Sequence, residues 1–493
     1  MSMICVENVS FGYDNSFDMV FENLHFQIDT NWKLGFIGRN GRGKTTFLNL
    51  LLGKYKYEGH IHSSVNFEYF PYHVEDKNKD TIEILKTICP DSMDWEIICE
   101  LEQLDIEADV LYRPFCTLSN GEQTKTLLAA LFLTTNAFLL IDEPTNHLDI
   151  NARNAVMAYL KRKKGFILVS HDRVLLDECI DHVLSINQTT IDVQKGNFSS
   201  WYYNKEKRDY HEKMQNEKLK KEIKRLSASA KRTSEWSDRV EKSKNGTKNS
   251  GLKVDKGYIG HKSAKMMKRS KNLESRQQSM IEEKNALMKD VEMSENLMMH
   301  PISHFAQKLV SLSNISIFYG ENEVFKNFSL DVMQGERIAV CGKNGCGKSS
   351  LLRLINDKNI QYTGDLSCAS NLKISFVSQN TLEMSGTLYA YAKERKIDET
   401  LFMTILRKMG FDREQFNKQI QQYSEGQKKK VLLAASLSEQ AHLYIWDEPL
   451  NYIDVITRIQ IEDVLLTYKP TLIFVEHDTA FIEKIATRVI QIT

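Results

Sequence analysis

Short apolar runs that end at glycine or at paired acids set the first pattern along this chain. "KLGFIG" (33–38) and "RIAVCG" (337–342) have strand character, and each leads through a glycine-rich loop into an apolar-periodic stretch, "TTFLNLLLG" or "SSLLRLI". Strand, loop and helix are predicted in that order, twice. "AFLLIDE" (137–143) and "LYIWDE" (443–448) are apolar throughout until two carboxylates close them. That is the pattern of strands covered on both faces. The middle of the chain differs. Leu219, Ile223, Leu226 and Ala230 recur at helical spacing, and Met266, Leu273, Met280 and Leu287 recur every seven residues. Two amphipathic helices are predicted, over about 204–235 and 261–292, able to pack as an antiparallel hairpin. Helices of about 30 residues reach ~45 Å. The stretch "VEKSKNGTKNSGLKVDKGYIG" (240–260) then falls at the far tip of a long rod.

The outer parts are one pattern written twice. "GRNGRGKT" (38–45) recurs as "GKNGCGKS" (342–349), "LSNGEQTK" as "YSEGQKKK", "LIDEPTNHLD" as "IWDEPLNYID", and "VSHD" as "VEHD". The offsets run only from 304 to 306 residues, so the chain contains a duplication. G-x-x-x-x-G-K-[ST] is a phosphate-cradling loop whose small glycines let backbone N–H groups face the phosphates. Its residues are Gly38, Asn40, Gly41, Gly43, Lys44, Thr45 and Thr46 in the first copy. The second copy has Gly342, Asn344, Gly345, Gly347, Lys348, Ser349 and Ser350. The lysines are expected on the β/γ-phosphates of ATP, and Thr45 and Ser349 on Mg²⁺. Asp142 and Asp447 are placed to hold Mg²⁺ through water, and Glu143 and Glu448 to orient or deprotonate the attacking water.

Composition and charge sharpen this picture. The 493 residues are 42% apolar, enough for two or three domains with sizeable cores. No run approaches the ~20 apolar residues of a membrane span, and the N-terminus "MSMICVENVSFGY" predicts no signal peptide. Eight cysteines without a C-x-x-C pair argue against zinc ribbons, iron–sulfur clusters and a disulfide framework. A cytoplasmic location is expected. Overall charge is zero, yet residues 204–292 hold 25 Lys/Arg against 14 Asp/Glu, net +11, which leaves −11 for the remainder. A basic middle between acidic ends points to a polyanion partner for the middle alone.

The phosphate loops, the "LSGGQ"-like signatures, "DEPTNHLD" and the histidine after the following strand resemble an ATP-binding cassette domain, over about 2–200 and 306–493. The resemblance implies an α/β fold of two tandem P-loop NTPase cassettes facing each other head to tail within a monomer and burying two ATP molecules. Each ATP would meet the other cassette's signature, Ser119 and Gly121 or Ser424 and Gly426. His171 and His477 would sense the γ-phosphate, and Tyr13 and Tyr319 would stack on adenine. Gln379, in "ISFVSQN", would join the metal and water site, whereas the first copy offers Tyr72 in "FEYFPYHV". The second acidic block also reads Leu450 and Tyr452 where the first has Thr145 and His147. Two unequal sites are expected, both of which turn over.

The domain boundaries read as 1–203, 204–292 with a tip at about 236–260, a connector at 293–305, and 306–493. A rod with basic faces and a tip carrying Lys242, Lys244, Lys248, Lys253 and Lys256 suits a phosphate backbone. Trp236, Tyr258 and His261 could stack on bases or staple the loop to its helices. Structured RNA is favoured over DNA. Two cassettes joined by a basic hairpin resemble the ABC-F family of translation factors. "LYRPF", "TSEWS", "MKRSKN" and "LYIWDEPLN" are similar to its Lsa-type antibiotic-resistance proteins. That resemblance implies binding to the E site of the bacterial 70S ribosome, beside 23S rRNA and P-site tRNA. It also implies protection against lincosamides, streptogramin A and pleuromutilins. The alternatives are a housekeeping ABC-F factor for stalled ribosomes, a transporter ATPase subunit, and a DNA-repair ATPase, which the missing zinc-ligand pairs disfavour.

Overall fold

The structure is a computed structural model that describes residues 2–13, 19–146, 148–187, 189–243, 268, 271–272, 275–276, 279–280, 296–320, 322–357, 360–382 and 384–492. In the helix through 243, side chains are described to 225 and at 227–228. The chain divides into two units, Met1–Trp201 with Ser294–Thr493, and Tyr202–Met293.

The first unit contains the duplicated pattern as two similar assemblies. In the first, β1 (Met3–Gly12) pairs with β2 (Met19–Asp29) and, beyond β3 (Lys33–Ile37), with β4 (Glu58–His62), giving an antiparallel sheet in the order β2-β1-β4. The remaining strands are β5 (Asn66–Phe70), β6 (Ala137–Asp142), β7 (Phe166–Val169), β8 (His182–Asn187) and β9 (Thr190–Lys195), in a sheet ordered β5-β6-β7-β3-β8-β9. Of its pairings, β8 with β9 is antiparallel and the rest are parallel. The second assembly repeats this. β10 (Lys308–Tyr319), β11 (Asn322–Met333) and β13 (Gln361–Cys368) form the antiparallel sheet. β12 (Arg337–Cys341), β14 (Ile374–Val377), β15 (Leu443–Asp447), β16 (Leu472–Val475) and β17 (Arg488–Gln491) form a parallel one ordered β14-β15-β16-β12-β17.

All five residues of β15 are buried, which is why its sequence carries no alternation. Trp446 is fully buried and its indole N–H donates to Ser436 Oγ at 2.9 Å, so a large apolar body and its one polar atom are both satisfied. Trp446→Ala is expected to cost about 3–5 kcal/mol, read from the urea-unfolding midpoint by circular dichroism. In both assemblies the strand before the phosphate loop (β3 or β12) lies inside the parallel sheet. The helix after the loop (Lys44–Leu51 or Lys348–Asp357) packs between the two sheets with Phe47, Leu48, Leu351 and Leu352 buried. The phosphate loops are thereby held at the carboxyl edge of the sheet, where open α/β folds place ligands.

The second unit begins within a 46-residue helix, Phe198–Ser243. It starts earlier and ends later than the 204–235 read from periodicity. "WSDRVEKS" contains no proline or glycine to stop it. Trp236 and Lys242, expected in the tip loop, therefore lie on this helix, with side chains outside the described set. Lys244, Lys248, Lys253, Lys256, Tyr258 and His261 lie outside the described residues, as does most of the predicted helix 261–292; its described positions are helical. Among the described residues no helix is long and apolar enough to cross a membrane.

Candidate active sites

Each phosphate loop closes on itself by the same bonds. Lys44 Nζ donates to Gly38 O at 2.7 Å and to Arg39 O at 3.2 Å, and Lys348 Nζ to Gly342 O at 2.8 Å and Lys343 O at 2.9 Å. Gly43 and Gly347 sit at φ of 92° and 95°. A Cβ there would lie 2.7 Å from Val20 Cγ1 or 2.5 Å from Val324 Cγ1, so the position needs glycine for its backbone angle and for space. Tyr13 OH meets Thr46 Oγ1 at 2.8 Å and Tyr319 OH meets Ser350 Oγ at 3.1 Å. Both tyrosines stay substantially exposed beside their loops.

At the strand ends, Glu143 and Glu448 adopt φ of 51° and 45°. Left-handed glutamates are uncommon, and strain of this kind collects at functional sites. The backbone N–H of each is held by the neighbouring strand, Glu143 N to Val169 O at 2.9 Å and Glu448 N to Val475 O at 3.0 Å. His171 Nε2 lies 3.2 Å from Glu143 Oε1, and His477 Nε2 lies 3.7 Å from Glu448 Oε1. In the first site, burial with Lys44 and Arg458 nearby holds the His171 imidazole well below its usual range, hence neutral.

Beyond this shared frame the two sites differ. Strand register makes Tyr69 and Phe376 equivalent, since Tyr69 pairs with Leu140 and Phe376 with Ile445, each two residues before the aspartate. Tyr72 and Gln379 are then equivalent too, three residues further on. Gln379 Nε2 donates to Glu448 Oε2 at 2.8 Å. Tyr72 instead donates to Glu68 Oε2 at 3.3 Å, while Tyr69, which the sequence reading missed, donates to Asp142 Oδ2 at 3.0 Å. Neighbouring strand residues point to opposite faces, so a bond to Glu68 carries Tyr72 away from the face on which Tyr69 reaches Asp142. Only the register, invisible in one sequence, could have shown this.

Electrostatics follow the contacts. Burial and the adjacent Asp142 push the Glu143 carboxyl up to about 8. Burial acts on Glu448 in the same direction, but His477, the Gln379 amide and the charge of Lys429 outweigh it and hold that carboxyl below its usual range. The aspartates fit a divalent cation, being hard oxygen donors beside a hydroxyl. Thr45 Oγ1 is 3.1 Å from Asp142 Oδ2. Both carboxylate oxygens of Asp447 are buried without a geometric hydrogen bond. Burial raises Asp447's pKa, with the Ser349 hydroxyl opposing it.

The two assemblies also meet across their sites. Asn40 Nδ2 donates to Tyr452 O, and a Cβ on Gly426 would lie 2.7 Å from that same nitrogen, so the first phosphate loop abuts the second signature. The second loop shares a cavity of about 450 Å³ with Asn120 and Arg153 of the first assembly. Ser119 and Ser424 cap their signature helices, accepting from Glu122 N and Gln427 N. Gly121 packs against Leu148. A further cross-contact was not legible in the sequence. Arg173 donates to Glu462 through both terminal nitrogens, and Glu462, fully buried, also takes Lys484 Nζ at 2.9 Å.

A family model described as ABC transporter matches residues 21–146 and 325–451, each block spanning a phosphate loop and its acidic pair. The chain belongs to the ABC transporter family. The two matched blocks are ATP-binding, ATP-hydrolysing cassettes. It is 28% identical to ribosome protection protein VmlR of Bacillus subtilis, over 98% of this chain and 85% of that one. It is 27% identical to ATP-binding protein Uup of Buchnera aphidicola, over 99% and 80%. In fold it resembles the archaeal ribosome recycling factor aABCE1, crystallised with stalk protein aP1, at TM-score 0.61 and 19% identity, over 99% of this chain and 87% of that one.

Proposed function

We propose that this ABC-F ATPase binds the bacterial ribosome at the E site when ATP has closed its two cassettes. The segment between the cassettes then reaches toward the peptidyl-transferase centre and dislodges lincosamide, streptogramin A or pleuromutilin. The observation that carries the reading is the similarity to a ribosome protection protein along nearly the whole chain. The net charge of +11 on residues 204–292, in a unit that opens with a 46-residue helix, supports it.

In this reading Lys44 and Lys348 hold the phosphates and Tyr13 and Tyr319 stack on adenine. Ser119, Gly121, Ser424 and Gly426 meet the γ-phosphate from the opposite cassette. Thr45 and Asp142 would hold one Mg²⁺, and Ser349, Asp447 and Gln379 the other; when bound, the ion polarises phosphate oxygens. Glu143 and Glu448 orient the water, and His171 and His477 sense the γ-phosphate. Hydrolysis releases the factor.

The test is cosedimentation of Glu143→Gln/Glu448→Gln protein with ribosomes, with and without residues 240–260. ATP-dependent comigration is expected for both forms; in protein that keeps both glutamates, deletion of 240–260 is expected to abolish drug tolerance in cells. Absence of comigration in protein that binds ATP would sink the ribosome reading. Deletion that alters growth but not drug tolerance would leave a drug-independent translation factor instead.

A further inference from the structure

Lys429 lies in the second signature helix, Glu425–Ser438, five residues after Ser424. It is a lysine with only 2% of its surface exposed. Its Nζ donates to three backbone carbonyls, those of Ser378 at 2.8 Å, Gln379 at 3.3 Å and Asp447 at 3.3 Å. The first two belong to the loop after β14 and the third to the end of β15. One ammonium therefore ties a helix that opens at the first ATP site to the two segments that carry Gln379, Asp447 and Glu448 in the second. Its charge is surrounded by Asp447, Glu476, Glu448 and Glu425. Glu476 is itself buried and accepts from Leu450 N at 2.7 Å and His477 N at 3.1 Å, linking the loop after the acidic pair to the histidine.

The first cassette has no counterpart. Thr124, five residues after Ser119, donates back to Asn120 O within its own helix at 2.8 Å. Ser170, which precedes His171 as Glu476 precedes His477, accepts from Asp172 N at 3.1 Å. A buried Lys with an acidic partner stands in one copy where the other has two hydroxyls. Desolvating a lysine is costly, and a lysine kept at such a place has to be balanced by the groups it orders.

We propose that Lys429 is a positioning residue of the second ATP site, holding Gln379 against Glu448 and transmitting to them the engagement of Ser424 and Gly426 at the first site. The first cassette lacks such a link, because Thr124 bonds within its own helix. The proposal rests on Glu448 and Glu143 being the bases of the two sites.

The test uses full-length Glu143→Gln protein, in which turnover reports the second site. Lys429→Met in this background is expected to lower kcat by about tenfold or more, with KM for ATP within about twofold. Its effect should not add to that of Gln379→Ala, since both act through one contact. The paired change Lys429→Thr/Glu476→Ser installs the hydroxyls of the first cassette. It should restore the melting temperature while leaving kcat low. Full additivity with Gln379→Ala, recovery of kcat along with melting temperature, or a rise in KM at unchanged kcat would each overturn the proposal. If Glu143→Gln/Glu448→Gln retained turnover, the assignment of the bases would fail instead, and that control is read separately.

Discussion

Glu143→Gln/Glu448→Gln protein is expected to lose steady-state ATP hydrolysis by about 10²–10⁴-fold, the usual worth of a positioned general base. An amide keeps the shape of the carboxylate but accepts no proton, so ATP binding should be retained. The single variants are expected to be unequal. Glu448 receives the Gln379 amide at 2.8 Å and is held in its ionised form by its neighbours. Glu143 has no such donor, since Tyr72 is bonded to Glu68, and burial pushes its carboxyl up to about 8. Glu448→Gln alone should therefore remove most of the phosphate release and Glu143→Gln the smaller share. Phosphate release by each single variant, with nucleotide affinity measured in parallel, checks this. Equal losses would mean that the different surroundings of the two glutamates do not matter for turnover.

Glu462→Gln should have the second large effect. Glu462 is fully buried and joins Arg173 of the first cassette to Lys484 of the second. Removing its charge leaves two cations competing for one neutral amide, and breaking a buried pair in this way costs about 3 kcal/mol. The duplication does not repeat the pair, for Met157 and Thr479 stand at the related positions. The loss cannot be shared with a twin contact. The expected signs are a lower melting temperature and weaker ATP-dependent comigration with ribosomes at unchanged affinity for the isolated nucleotide. A variant that melts and comigrates as the parent does would remove this pair from the closure of the cassettes.

What could be read in advance was the local chemistry. Phosphate loops act through consecutive backbone N–H groups, so their glycines and the following lysine must be contiguous, and contiguity survives in a string of letters. The same holds for apolar runs such as "AFLLIDE", whose burial on both faces leaves no polar alternation to hide them. The end of the long helix was harder. Propensity changes little across 235–243, and the apolar periodicity that served as a guide stops before the helix does.

The sequence alone therefore determined the duplication, the two phosphate loops with their acidic strand ends, and the basic character of the middle. The tertiary structure alone decided which side chains meet at each site. Tyr69 rather than Tyr72 reaches Asp142 because β5 pairs with β6 in the register that sets Tyr69 beside Leu140, two residues before the aspartate. Lys429 reads as a solvated lysine in "YSEGQKKK" until the fold puts three carbonyls and a group of carboxylates around it. Arg173 and Glu462 are 289 positions apart and meet only because two copies of one domain pack together. Contacts of this kind depend on side-chain direction and burial across distant segments, which no local pattern encodes.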